Sequence, residues 1–215
     1  MNPQTDLFAA EAAPVTLAPG AVLLPGFAGA DAMVLVAAIR DLLAEAPPRH
    51  METPGGFRMS VAISNCGEAG WITDASGYRY GRLDPQSGLP WPLMPPLFRQ
   101  LAQRAAAAAG YAGFQPDACL INRYVAGARM SLHQDRNERD FSQPIVSVSL
   151  GLPANFLFGG LRRQDRPRRL PLHHGDVVVW GGPSRLAFHG VAPLADGEHP
   201  DTGDCRYNLT FRKAL

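Results

Sequence analysis

His133-Gln134-Asp135 contains two side chains of types that bind divalent cations. On an extended segment residues i and i+2 point the same way, so the imidazole and the carboxylate can converge on one ion. A third ligand has to come from another strand, and His189, which follows the apolar run 185–188 and precedes Gly190, is placed to supply it. Two imidazoles and one carboxylate on one face leave the other positions of an octahedral ion open, as non-haem iron(II) oxygenases require. Zinc or manganese would suit the same donors. The tripeptide alone is common, and an exposed His-Asp pair in a solvated turn is its ordinary meaning. The remaining histidines are poorer candidates: His173 and His174 are adjacent, so on a strand they face opposite ways, and His50 and His199 sit among turn residues.

A second constellation lies at the end of the chain. In the run 206–212, Arg206, Asn208, Thr210 and Arg212 alternate with Tyr207, Leu209 and Phe211. A half-exposed strand with a solvated polar side would read the same way. Asn is a poor strand former, however, and two guanidiniums on one inward face would clamp a dicarboxylate with forked donors. Asn122 and Tyr124 share a face in the same manner and would add an amide and a phenol to the set.

The elements that must position these groups fall into two halves. A helix is expected from Asp31, as N-cap, to just before Pro47-Pro48, with Leu35, Ile39, Leu42 and Leu43 on one face. Residues 57–65 alternate as a strand would, and 67–91 form an irregular stretch rich in Gly, Pro and aromatics (Trp71, Tyr78, Tyr80 and Trp91 among them). A second helix is expected over 95–109, ended by Gly110. Beyond it come short apolar runs at 119–124, 145–150, 155–158, 176–180, 185–188 and 206–211, separated by Gly, Pro and Asp. Helices first and short strands afterwards predict an α+β chain with a mainly β core, a sandwich or jelly roll.

Composition bounds what such a chain can do. It has 215 residues, 46% hydrophobic and 18% charged, enough for one domain with a real core. Formal net charge is only +1, so a nucleic-acid partner would need a local basic patch. Lys213 is the only lysine, and arginine clusters must be discounted accordingly. The three cysteines (Cys66, Cys119, Cys205) are scattered and odd in number, which suits reduced thiols in a cytoplasmic protein and gives no zinc site. No secretory signal is expected, and the uncharged stretch 14–30 is too broken by Pro and Gly to span a membrane.

Taken together, Asn122-x-Tyr124, Gly127, His133-x-Asp135, His189 and Arg206-x-Asn208-x-x-x-Arg212 resemble the AlkB family in order and spacing. The strings 114–124 and 175–182 carry the same likeness, which runs from Asp6-Leu7-Phe8 to Arg212. The resemblance implies an Fe(II)- and 2-oxoglutarate-dependent dioxygenase that demethylates alkylated nucleobases. Fe(2+) would be held by His133, Asp135 and His189, with O2 and 2-oxoglutarate as co-substrates. Arg212 would serve the carboxylate near the metal and Arg206 the distal one, with hydrogen bonds from Asn122, Tyr124 and Asn208. The fold would be a double-stranded β-helix (jelly roll) with N-terminal helices outside. Residues 1–13 would be a flexible tail and 14–215 a single dioxygenase domain, with a nucleotide-recognition lid over 50–90 and the jelly-roll core over 114–215.

For substrate, the resemblance implies single-stranded or damaged DNA, with RNA as an alternative, no membrane, and a monomer. Trp71 would stack on a flipped base opposite His133, bordered by Tyr78 and Met59. The cluster Arg162, Arg163, Arg166, Arg168 and Arg169 is either a solvated hairpin or a phosphate contact, Arg163 foremost by family position. In one place the chain departs from the family: an acidic residue is usual two positions after Asp135, and Asn137 stands there, followed by Glu138. The uncharged amide would weaken preference for cationic lesions unless Glu138 substitutes. Rival readings are the same chemistry on RNA, a free nucleotide or a protein, or a non-catalytic nucleic-acid-binding β-barrel.

Overall fold

Strand β13 (Arg206–Arg212) is buried along its whole length, so both of its faces need a partner layer. In the computed structural model, which describes residues 13–215, those layers are a pair of helices on one side and a second sheet on the other. A hairpin of β1 (Val15–Ala18) and β2 (Ala21–Leu24) leads into helix α1 (Ala32–Glu45). Strand β3 (Ala62–Gly67) follows, then the hairpin β4 (Gly70–Asp74) and β5 (Gly77–Gly81), then helix α2 (Pro96–Ala108). The remaining strands are β6 (Ala118–Tyr124), β7 (Met130–His133), β8 (Ile145–Gly151), β9 (Ala154–Phe158), β10 (Arg168–Leu172), β11 (Val177–Trp180), β12 (His189–Val191) and β13. They form a seven-stranded sheet in the order β1-β2-β11-β8-β13-β6-β3 and a four-stranded sheet in the order β10-β9-β12-β7. Every paired neighbour is antiparallel. This is a jelly roll with helices outside the larger sheet.

Period-two alternation distributes each strand between two cores. Leu209 and Phe211 of β13, with Val177 and Val179 of β11, meet Leu35 and Ile39 of α1 and Phe98 and Leu101 of α2. Phe98 and Phe211 cross edge to face with centroids 6.0 Å apart. Val178 and Trp180 instead join Tyr124, Phe156 and Phe158 between the sheets. Each such fully buried large side chain contributes about 1.5–3 kcal/mol relative to exposure. Past β13, the buried carboxylate of Asp117 accepts from the backbone N–H of Ala214 (2.6 Å) and Leu215 (3.1 Å) and from Lys213 Nζ (2.7 Å). That clasp fixes the end of the strand carrying both cavity-facing arginines, Arg206 and Arg212.

Both helices lie where their periodicity puts them, and α2 ends at Gly110, whose φ of +91° favours glycine. Asp31 stands at the N-cap position of α1 without capping it, because its carboxylate pairs with Arg104 across the helix pair. Elsewhere the strand boundaries differ from expectation. Residues 57–61 are not strand: Phe57 is 75% exposed at the end of a tight turn closed by Thr53 N–H to Phe57 O, and pairing starts at Ala62. The stretch 67–91 contains a regular hairpin whose turn, Asp74 to Gly77, reverses at Gly77 (φ +119°). The run 185–188 is no strand; it follows a 3-10 turn at Gly182–Ser184, and pairing begins only at His189. Strands β1, β7 and β10 were not legible as apolar runs, being short and mixed in character, and β2, though apolar, is only four residues long. The tail expected over 1–13, and Asp6-Leu7-Phe8 within it, lies outside the described residues apart from Ala13.

Gly70 opens β4 where any Cβ would collide with the Trp91 ring and lie 2.8 Å from the Asn65 Cβ. Gly70→Ala is therefore expected to cost about 1–3 kcal/mol by overpacking, read as a lower denaturation midpoint with an unchanged slope.

Candidate active site

His133 closes β7 and His189 opens β12, and the two are direct register partners across the smaller sheet. Asp135 follows two residues after His133, just past the end of β7. His133 Nε2 lies 3.7 Å from Asp135 Oδ1, and His189 Nε2 lies 3.7 Å from Asp135 Oδ2. All three donor atoms fall within 4.8 Å of one another, close enough for one cation with bonds of roughly 2.0–2.2 Å. The Nδ1 atoms face backbone carbonyls, Ser131 O at 2.8 Å for His133 and Ala187 O at 3.0 Å for His189. An Nδ1–H donated to a carbonyl leaves the Nε2 lone pair free and aimed, which is how ligand histidines are oriented. Burial, reinforced by the charge of His133, pulls the His189 imidazole down to about 3, so it is neutral at ordinary pH. Burial opposes ionisation of Asp135, but Arg212, His189 and His133 outweigh it and hold the carboxyl below the usual range.

Arg212, on the cavity face of β13, donates to Asp135 Oδ2 from Nε (2.9 Å) and NH2 (2.6 Å), leaving Oδ1 for an ion. Its NH1 reaches the Tyr80 hydroxyl at 3.1 Å, which in turn donates to Glu138 Oε1 at 2.7 Å. Arg185 lies behind them, with NH1 on Asp135 O (2.8 Å), NH2 on Glu138 Oε2 (3.1 Å) and Nε on Gln143 O (2.9 Å). The irregular segment after β7 is thus stapled at three points by one guanidinium.

Arg206 is treated differently. It is 1% exposed, donates NH2 to Ser149 Oγ at 2.9 Å, and sits 5.2 Å over the Tyr124 ring. Nε and NH1 are buried with no partner in the protein. Burial lowers its affinity for its own proton. A desolvated cation with open donors calls for an anion, and the two free N–H directions suit a carboxylate. Asn208 has partners within the sheet: its Nδ2 donates to Ser147 Oγ (2.8 Å) and Val148 O (3.0 Å), and its Oδ1 accepts from Thr210 (2.9 Å) and Asn122 (3.2 Å). The amide is used within the sheet, where it braces the cavity floor. Asn122 keeps a buried Oδ1 without a partner.

His133, Asp135, His189, Asn122, Tyr124, Arg206, Asn208 and Arg212, with Met59, Trp71, Tyr78, Asn137 and Arg163, line one cavity of about 950 Å³. Trp71 and Tyr78 stack at 5.7 Å on one face of the β4–β5 hairpin. The Trp71 backbone is held to β3 by the Asn65 amide, through Trp71 N–H to Oδ1 (3.0 Å) and Nδ2 to Trp71 O (3.1 Å). Asn137 bridges the two rings' strands, accepting from Trp71 Nε1 (3.4 Å) and donating to Tyr78 O (3.3 Å). Glu138 does not take its place at the cavity wall; its side chain is 1% exposed and enclosed by Arg185, Tyr80 and Arg212. Arg163 leans over Phe188 and donates to Leu132 O (2.9 Å). Arg162 pairs with Asp165 and Arg168 with Leu17 O, while Arg166 and Arg169 stand exposed.

Sequence reasoning missed Tyr80 and Arg185. The only signal for Tyr80 was its i+2 spacing from Tyr78, and Arg185 gave none. His199, which the sequence places among turn residues, has a second histidine against it. His174 and His199 stack at 4.4 Å beside Asp201. His174 Nδ1 accepts from Gly151 N–H at 2.9 Å, so its proton sits on Nε2, facing Asp201 at 3.5 Å, with no lone pair left for a metal.

Comparison with known proteins agrees with this geometry. A family model described as the 2OG-Fe(II) oxygenase superfamily matches residues 20–212. The chain is 60% identical over 210 residues to the alpha-ketoglutarate-dependent dioxygenase AlkB of Escherichia coli K12, covering 97% of each. It is 35% identical over 169 residues to the DNA N(6)-methyladenine demethylase ALKBH1C of Arabidopsis thaliana, covering 66% of this chain and 37% of that one. Among solved structures, that of OsALKBH1 superposes with a TM-score of 0.81 at 28% identity, covering 94% of this chain and 100% of the other.

Two substitutions test the site without requiring turnover. Arg206→Met removes an uncompensated buried charge, so the ligand-free protein should gain about 1–4 kcal/mol, and succinate, which should raise the melting temperature of the parent, should not raise that of the variant. Anaerobic addition of Fe(II) and 2-oxoglutarate should give the parent a visible absorption band, and His133→Ala should abolish it.

Proposed function

The chain belongs to the 2OG-Fe(II) oxygenase superfamily, and from that premise we propose that it oxidatively demethylates N-alkylated nucleobases of the 1-methyladenine and 3-methylcytosine type in DNA, preferably single-stranded. It is an Fe(II)- and 2-oxoglutarate-dependent dioxygenase. When bound, Fe(II), 2-oxoglutarate and O2 supply an oxidation that yields succinate and CO2 and hydroxylates the methyl carbon, which then leaves as formaldehyde. The observation that carries the reading is a buried, under-partnered guanidinium and a His-Asp-His group at the floor of one cavity whose rim holds a stacked Trp-Tyr pair.

In this reading His133, Asp135 and His189 hold the ion through Nε2 and Oδ1. Arg206 takes the distal carboxylate of 2-oxoglutarate through Nε and NH1, with Tyr124 beside it. Arg212 orients Asp135 and presents its remaining N–H groups to the near carboxylate. Residues 50–90 act as the nucleotide-recognition lid of a single domain spanning 14–215. A base reaches the floor only by leaving its stack, which costs a few kcal/mol and least in a single strand. Trp71 supports one face of the flipped base opposite His133, with Tyr78 and Met59 at its edges, and together they exclude water from the reacting carbon. Arg163 and the exposed Arg166 and Arg169 meet phosphates, so binding weakens with salt. The protein works as a monomer in the cytoplasm; no helix among the described residues is long and apolar enough to cross a membrane.

The direct test is formaldehyde release from a methylated single-stranded oligonucleotide, which should require 2-oxoglutarate and vanish in His133→Ala. No release from DNA or RNA oligomers would overturn the reading. Asn137 lacks the charge that would favour a cationic lesion. Asn137→Asp should raise kcat/KM on 1-methyladenine and 3-methylcytosine, by about five- to tenfold for roughly 1 kcal/mol of added transition-state attraction. Equal kinetics would remove Asn137 from the determinants of preference.

A further inference from the structure

We propose that Tyr80 and Glu138 are positioning residues that couple the β4–β5 hairpin to Asp135, so that occupying the metal site orders the hairpin and loosening the hairpin loosens the metal carboxylate. The proposal rests on reading His133, Asp135 and His189 as a metal centre. Its basis is a short, closed path of hydrogen bonds. The Tyr80 hydroxyl accepts from Arg212 NH1 (3.1 Å), and Arg212 donates twice to Asp135 Oδ2 (2.9 and 2.6 Å). Only Arg212 therefore stands between the hairpin and the carboxylate. On its other side the Tyr80 hydroxyl donates to Glu138 Oε1 (2.7 Å). Glu138 Oε2 accepts from Arg185 (3.1 Å), which also grips the backbone carbonyl of Asp135 itself (2.8 Å).

The charges in this group balance: Arg185 and Arg212 against Asp135 and Glu138, all with side chains at most 8% exposed. Removing one member of such a group leaves another uncompensated, so it holds together or fails together. Tyr80 is the neutral link that carries the group across to a separate two-stranded sheet. Its register partner there is Trp71, and Tyr78 is its same-face neighbour on β5. The rings that border the cavity mouth are thus borne by the element whose hydroxyl reaches the centre. A tyrosine serving only as packing would need no hydroxyl, yet this one both donates and accepts.

The test uses the full chain, Mn(II) as probe and no oligonucleotide. Amide hydrogen exchange at residues 70–81 is measured with and without saturating Mn(II) in the parent, in Tyr80→Phe and in Glu138→Gln. In the parent, Mn(II) should slow exchange in the hairpin by about fivefold or more, the lower end of ordinary site-to-site coupling. Tyr80→Phe keeps the ring but removes the link, so the Mn(II)-dependent slowing should largely vanish while Mn(II) still binds. Glu138→Gln keeps an oxygen for Tyr80 and loses the charge, so both Mn(II) affinity and the slowing should fall. A merely structural tyrosine would lower the melting temperature and leave the Mn(II)-dependent difference intact, which would overturn the proposal. Mn(II) binding to a parent whose hairpin does not respond would overturn the coupling alone, whereas a parent that binds no Mn(II) would sink the metal-centre reading with it.

Discussion

A carboxylate stripped of most of its water stays ionised only if fixed positive charge takes the water's place, and Asp135 is in that position. Burial alone would drive it toward the neutral acid, a poor ligand. The Arg212 guanidinium reverses that tendency with two hydrogen bonds to one oxygen. Arg212 can do so only because β13 is sandwiched: Leu209 and Phe211 are sealed against the helices, so Asn208, Thr210 and Arg212 must face the other sheet. The metal-binding group is therefore a property of the two-layer fold as much as of the loop that bears Asp135.

The same sheet holds two arginines in opposite states. Arg212 is charge-paired with Asp135 and Glu138, whereas Arg206 has a hydroxyl, an aromatic face and two donors with no partner. One end of the cavity is electrostatically complete and the other lacks an anion. On the proposed reading, that asymmetry would give a dicarboxylate a direction, with one end at the open guanidinium and the other toward the ligand triad.

Much of this was legible in the residues. Strict alternation in 206–212 gave the inward face of β13, and the i, i+2 spacing of His133 and Asp135 gave their convergence. Leu35, Ile39 and Leu42 marked α1 because a helix exposes its period over many residues. The short edge strands β7 and β10 did not announce themselves, since four or five residues with charges and a proline carry too little pattern. Asp31 misled because a good capping residue can be claimed by a distant arginine, here Arg104. Arg185 and Glu138 were out of reach for a deeper reason: their pairing spans 47 positions, and nothing local distinguishes a buried charge from a solvated one. Glu138 stood beside Asn137 in sequence and looked interchangeable with it, yet adjacent residues leave an extended chain on opposite sides.

If Arg206 takes a dicarboxylate as proposed, the supply of that ligand would also bear on how long the chain stays folded. A ligand that binds only the native chain stabilises it by RT ln(1 + [L]/Kd). When dicarboxylates are abundant the chain spends less time open to proteases, and when they run short it opens more often. Abundance of the protein would then follow the supply of its own fuel without any dedicated sensor.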